Sequence, residues 1–196
     1  MKIGILGGSF NPVHIGHVMI ASYMRQFEGF DEVWLMLSPL NPLKATSTEL
    51  IPDVSRLNML EVALKDADGV KVSDIELSMP RPSYTINTLR YLSKRYPRHT
   101  FRLIIGADNW KIFSQWKDSE KIIDDYGVTV YPRPGYPLPP IYDSNVDVVT
   151  AAPTAEISST WLRNALARGK DMRFFLPPGV AEYISEHKLY LPSSTN

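Results

Sequence analysis

The chain has 196 residues, 21 Lys and Arg against 21 Asp and Glu, and no cysteine. Zero cysteine excludes disulfides, thiolate catalysis and any Cys-ligated zinc or iron–sulfur site. A formal net charge of zero gives no global field toward nucleic acid or an anionic membrane, so neither is an expected partner, though a local basic pocket is compatible with it.

A 44% apolar share and this length predict one domain over residues 1–196. The apolar stretch at residues 3–6 is too short for a signal core, and no run reaches the ~20 apolar residues of a membrane span, so a cytoplasmic location is expected. Residues 2–6 read as a short buried strand ending in Gly7 and Gly8. Residues 18–27 read as a helix, with Val18, Ala21, Met24 and Phe27 near the 3.6 period. Residues 32–37 form a second buried strand, followed by a loop with Pro39, Pro42 and Pro52. A helix is predicted over 54–65, with Leu57, Leu60 and Leu64 on one face and Asp53 as its cap. Residues 70–77 read as a strand, 84–95 as a helix striped by Ile86, Leu89 and Leu92, and 101–105 as a strand closed by Gly106. Another strand follows at 128–131. Residues 132–140 hold five prolines and predict an extended surface loop. A sixth strand at 146–149 and helices at 158–167 and 180–187 complete the chain.

Strands alternating with helices predict an α/β fold, a Rossmann-like doubly wound parallel sheet with helices on both faces. In such sheets ligands bind outside the carboxyl ends of the strands, where strand order reverses. Three segments would lie there.

The first is Gly7-Gly8-Ser9-Phe10-Asn11-Pro12-Val13-His14-Ile15-Gly16-His17. The glycines let the backbone turn and approach a ligand closely, and Pro12 stiffens the entry. His14 and His17, three apart, share the first helical turn, where free N–H groups and the helix dipole attract an anion. Gly16 between them would leave room for a ligand against the helix. An isolated His pair is more often an exposed turn, and His-x-x-His can also ligate a metal, but no third ligand is evident. The strand-to-helix setting favours phosphate. The segment is neither a Walker loop nor G-x-G-x-x-G.

The second segment, Ile157-Ser158-Ser159-Thr160-Trp161-Leu162-Arg163, starts a helix with three hydroxyls and brings an arginine in one turn later. One hydroxyl suffices as a cap; three with an arginine suit a polyphosphate better. The third segment holds Gly106, Asp108 and Trp116. Asp108 is placed equally well for a ribose hydroxyl or as a helix cap. A lone Trp116 more often fills a core than stacks on a ligand ring.

Together the first two segments resemble the nucleotidylyltransferase superfamily, marked by an H-x-G-H loop and an I-S-S-T-x-x-R segment. Pro82-Ser83-Tyr84-Thr85, residues 104–108, Trp116 and Arg133-Pro134-Gly135 extend the resemblance to the bacterial nicotinate-nucleotide adenylyltransferases. The resemblance implies ATP and nicotinate mononucleotide as substrates, with Mg²⁺ carried on the nucleotide and no dedicated carboxylate cage. It implies catalytic roles for His14, His17 and Arg163. It further implies ATP contacts from Gly7, Gly8, Ser9, Phe10, His14, His17, Gly106, Asp108, Ile157, Ser158, Ser159 and Arg163. Lys44, Thr85, Trp116 and Lys117 would meet the nicotinate nucleotide. A homodimer is left open. The chain departs from the family pattern at Asn41-Pro42-Leu43-Lys44, where Pro-Pro-His-Lys is common, and at Ser9, Asn11 and Lys117, where Thr, Asp and an aromatic residue are common.

Overall fold

Apolar side chains alternate along the strands and divide between two faces of one sheet, because successive strand residues point to opposite sides. The computed structural model describes residues 1–39, 50–138, 140 and 145–191. The strands are β1 (Lys2–Gly8), β2 (Glu32–Leu37), β3 (Val70–Ser73), β4 (Thr100–Gly106), β5 (Val128–Tyr131) and β6 (Val146–Val148). They lie in the order β3-β2-β1-β4-β5-β6, and each neighbouring pair is parallel.

Leu6, Val33, Leu35, Leu37 and Ile104 face one core, covered by α1 (Ile15–Phe27), α2 (Asp53–Ala63), α6 (Ser159–Leu166) and α7 (Val180–Glu186). Ile3, Ile5, Leu103, Ile105, Val128 and Val130 face the other, covered by α3 (Thr85–Arg95) and α5 (Ser119–Tyr126). A side chain at Gly4 would strike Ile104 and Phe30, so glycine lets β1 sit under its neighbours in the middle of the sheet. From β1 the chain steps outward to β2 and β3, then returns across β1 to β4. That reversal opens a cleft between the carboxyl ends of β1 and β4.

Several boundaries differ from the sequence expectation. β1 runs on to Gly8, which pairs with Leu37. α1 starts at Ile15 with His14 as its cap. The strand expected over 70–77 stops at Ser73, and Ile75–Ser78 forms a 3₁₀ turn that carries Glu76 inward. Asp53 does not cap α2, since Pro52 holds that position; its carboxylate instead pairs with Arg56 and Arg81. α5 and the one-turn α4 (Ala107–Trp110) were not expected. α5 buries only Ile122, too little to show in a periodicity window. Within the proline-rich stretch, Arg133 and Tyr136 form an antiparallel bridge that turns the chain back. No helix of the described residues is long and apolar enough to cross a membrane.

Candidate active site

A cavity of about 530 Å³ occupies the cleft at the carboxyl ends of the strands, within the size range of small-ligand sites. Gly7, Gly8, Ser9, Phe10, His14, His17, Thr85, Gly106, Asp108, Trp116, Lys117, Ser158, Ser159 and Arg163 all line it. Ile157 does not; its side chain packs against the core beneath α6, as an apolar residue before a cap would. Lys44, with the neighbouring Asn41-Pro42-Leu43, lies outside the described residues.

The turn after β1 shows why its residue types matter. A Cβ added at Gly7 would meet nothing within 4 Å, so the protein's own packing does not require glycine there; the missing side chain widens the cavity. A Cβ at Gly8 would lie 2.9 Å from the Phe10 ring, so Gly8 is what lets that ring fold back under the turn. Phe10 is buried at a positive φ of 43°, and its ring meets His17 edge-on at 5.0 Å. A Cβ at Gly16 would press on the His14 ring at 3.1 Å. This glycine therefore makes room for an imidazole, and the ligand space expected of it is not its direct effect.

The two imidazoles stack, with centroids 3.6 Å apart and 25° between planes. The backbone N–H of His14 donates to His17 Nδ1 at 3.2 Å. That nitrogen must be unprotonated to accept, which puts the proton of a neutral His17 on Nε2 and makes Nε2–H the ring's donor. His14 is 3% exposed, and its Nδ1 is buried with no hydrogen-bond partner among the described residues. Burial pushes the His14 pKa down to about 4, and the Arg133 guanidinium pushes in the same direction. His17 is also held well below the usual histidine value, first by desolvation and then by His14 and Arg133. Both rings are thus neutral at pH 7. In the folded chain they supply hydrogen bonds, and the positive charge lining the cavity comes from Arg133, Arg163 and Lys117.

The start of α6 is strapped to the same turn. Ser158 caps the helix, accepting from the Trp161 N–H at 3.2 Å. Ser159 Oγ donates to the Pro12 carbonyl at 2.9 Å, Arg163 donates to the Asn11 carbonyl at 2.9 Å, and Arg163 also reaches Thr160 Oγ1 at 3.4 Å. The three hydroxyls therefore divide their work. Ser159 spends its proton on the protein, whereas Ser158 and Thr160 act as acceptors and keep theirs.

On the β4–β5 side, Asp108 follows α4's first residue and does not cap the helix; Gly106 holds that position. Asp108 Oδ1 lies 3.6 Å from Arg133 Nε. A Cβ at Gly106 would fall 2.7 Å from Arg133 Cγ, so this glycine admits the arginine to the cavity. Trp116 is half-buried: it packs on Phe113 at 5.4 Å and also lines the cavity, with a buried Nε1 that has no partner among the described residues. Thr85 opens α3, and Lys117 places its ammonium 4.6 Å over the Tyr84 ring.

Sequence reasoning passed over three charged residues. Arg133 entered only as part of the Arg133-Pro134-Gly135 segment of the family resemblance, with no role of its own. Arg56 sits in an ordinary helical pattern, yet it is fully buried; its guanidinium donates to the carbonyls of Ser9 at 2.6 Å, Ser38 at 2.9 Å and Ile51 at 3.3 Å, and to the Asp53 carboxylate. Glu76, 5% exposed, lines the cavity and accepts from Ser38, Ser83 and Thr88. A lone Glu after a strand carries no signal of burial. The run Ser83, Thr85, Thr88 around the start of α3 was the available hint.

Among the described residues no group of three His, Asp or Glu is placed to hold a metal.

The order of the sheet and a cavity at its switch point define a doubly wound nucleotide-type α/β protein. The cytidylyltransferase-like family model matches residues 5–165, and the chain belongs to that family, alongside relatives named as nicotinate-nucleotide adenylyltransferases. A Bacteroides fragilis protein named "Probable nicotinate-nucleotide adenylyltransferase" is 48% identical, over 98% of this chain and 96% of its own. A Bacteroides thetaiotaomicron protein of the same name is 49% identical, over 95% and 92%. The fold also matches the Plasmodium falciparum nicotinic acid mononucleotide adenylyltransferase solved in complex with NaAD, with a TM-score of 0.77, 19% identity, and coverage of 96% and 97%.

Proposed function

We propose that this cavity transfers the adenylyl group of ATP to nicotinate mononucleotide, giving deamido-NAD and pyrophosphate. The observation that carries the reading is the meeting of His14, His17 and Arg163 in one cavity, in a chain 48% identical end to end to a relative named for this reaction.

The acceptor's phosphate oxygen attacks the α-phosphorus of ATP. One P–O bond forms as the bond to the bridging oxygen of the leaving pyrophosphate breaks. The nucleophile is already an anion at neutral pH, so no strong general base is required, and catalysis reduces to alignment and stabilisation of developing charge. His17 Nε2–H would donate to an α-phosphate oxygen, with His14 beside it. Arg163 and the free hydroxyl protons of Ser158 and Thr160 would hold the departing phosphates, near the first turn of α6. Gly7, Gly8, Ser9 and Phe10 would line the nucleotide, and Gly106 and Asp108 would meet adenosine. Thr85, Trp116 and Lys117 would surround the nicotinate ring, and Lys44 would support a phosphate. Mg²⁺ would be carried on the phosphates with water, and no step above runs through it.

Direct transfer has a stereochemical signature. With ATP chirally substituted by sulfur at the α-phosphorus, one in-line displacement inverts that centre. Retention would mean an adenylylated protein intermediate and would contradict the mechanism.

A further inference from the structure

Glu76 is a buried carboxylate with no counter-cation among the described residues. Its two oxygens accept three hydrogen bonds, from Ser38 Oγ at 2.8 Å, Ser83 Oγ at 3.1 Å and Thr88 Oγ1 at 2.8 Å, all neutral hydroxyls. No Lys, Arg or His of the described residues pairs with it. Hydroxyl dipoles satisfy the lone pairs but not the charge, and a buried ion without a partner is costly. Such a group, facing a cavity, is placed to receive its counter-charge from a ligand.

Its position says which part of the ligand. Glu76 follows β3 and bonds to Ser38, which follows β2; Arg133 follows β5. Along the sheet order β2 and β5 are three strands apart, roughly 14 Å at about 4.8 Å per strand. The cavity is therefore polarised, with arginines toward β5 and α6 and an unpaired carboxylate toward β2 and β3. ATP and both phosphates of the reaction belong at the cationic side. Ser83 and Thr88 tie the carboxylate to the two ends of the Tyr84–Thr85 segment, on the acceptor side of the site.

We propose that Glu76 is a specificity-determining residue that supplies the counter-anion for the cationic pyridinium ring of the acceptor nucleotide. This rests on the adenylyl-transfer reading above and deepens it. The acceptor ring carries two opposite charges, a quaternised nitrogen and a carboxylate. A carboxylate at Glu76 attracts the first and repels the second, which the Lys117 ammonium over the Tyr84 ring can take instead. The pyridinium persists unchanged from substrate to product, so the attraction acts on acceptor binding and leaves the chemical step untouched.

The test is calorimetric titration of the full chain with nicotinate mononucleotide and with its C-riboside isostere, in which a benzoate carbon replaces the ring nitrogen and removes the positive charge. The native chain should bind the pyridinium form at least tenfold more tightly, about 1.4 kcal/mol. Glu76→Gln keeps the shape and should bring the two affinities within threefold while leaving ATP affinity within twofold. A residue that merely braced Ser83 and Thr88 would weaken both ligands alike and preserve their ratio. If the amide variant does not fold, Glu76→Met, similar in volume and uncharged, should lose the preference in the same way. Equal binding of the two ligands by the native chain, or a preference that survives both substitutions, would overturn the assignment. Pyrophosphate release is followed in parallel: binding with the predicted ratio but no turnover counts against adenylyl transfer and leaves the role of Glu76 standing.

Discussion

His17 is the side chain on which the chemistry depends most, and its environment fixes what it can do. The His14 backbone N–H occupies Nδ1, the rings of Phe10 and His14 flank it, and burial keeps it neutral, so it acts as a hydrogen-bond donor of set direction. Removing one donor aimed at developing charge costs about 3–4 kcal/mol, or 10²–10³ in rate. His17→Ala should lose that much in kcat/KM, measured under steady-state conditions; a fall of less than tenfold would contradict the role. Gly7→Ala isolates space from stability. Its Cβ would meet no protein atom, so the melting temperature should hold while the KM for ATP rises several-fold. The neutral His14 also has a pH consequence. Its folded pKa, about 4, lies below the unfolded value of 6.5, so the unfolded chain binds the proton more readily. The stability this gives is complete above pH 6.5 and is lost as pH falls toward 4, by about 3 kcal/mol, with His17 adding in the same direction. Urea unfolding at pH 7.5 and pH 5 should show the midpoint dropping. An unchanged midpoint would mean that the imidazoles are not buried neutral.

The elements around the site owe their placement to side chains that bond main-chain carbonyls. Arg56 reaches from α2 to Ser9 after β1, to Ser38 after β2 and to Ile51, holding three connections around one guanidinium. Arg56→Ala would leave those carbonyls unpaired, and Asp53 would lose its buried partner. A loss of about 3–5 kcal/mol is expected in denaturant unfolding; a loss below 1 kcal/mol would show that the clamp is not needed. Ser159 and Arg163 bind α6 to the β1–α1 turn in the same manner. This is also where sequence and structure part. The strands, the sheet class and the placement of His14, His17 and Ser158 were legible, because buried parallel strands read as apolar runs and glycines and caps punctuate them. The burial of Arg56 and Glu76 was not, because it depends in large part on distant partners, Ser9 47 residues from Arg56 and Ser38 38 residues from Glu76, that no local pattern announces. α5 escaped because its support comes from one buried isoleucine, and the core-facing side chain of Ile157 was not legible because a motif does not say which way each of its side chains points.

At the scale of the molecule, zero net charge conceals a polarised cavity. Arg133 and Arg163 stand on the side of β5 and α6, two neutral imidazoles on the turn after β1, and the Glu76 carboxylate, without a counter-cation among the described residues, toward β2 and β3. That arrangement suits two substrates that bring their own phosphates, one of which also carries a cationic ring. The most direct measurement is steady-state pyrophosphate release by the full chain with ATP and Mg²⁺, with nicotinate mononucleotide and nicotinamide mononucleotide offered in turn. Turnover should require an acceptor, yield a dinucleotide in equal amount to pyrophosphate, and favour nicotinate by tenfold or more in kcat/KM, the difference being one carboxylate. Pyrophosphate formed without an acceptor, or no dinucleotide from nicotinate mononucleotide, would contradict the account.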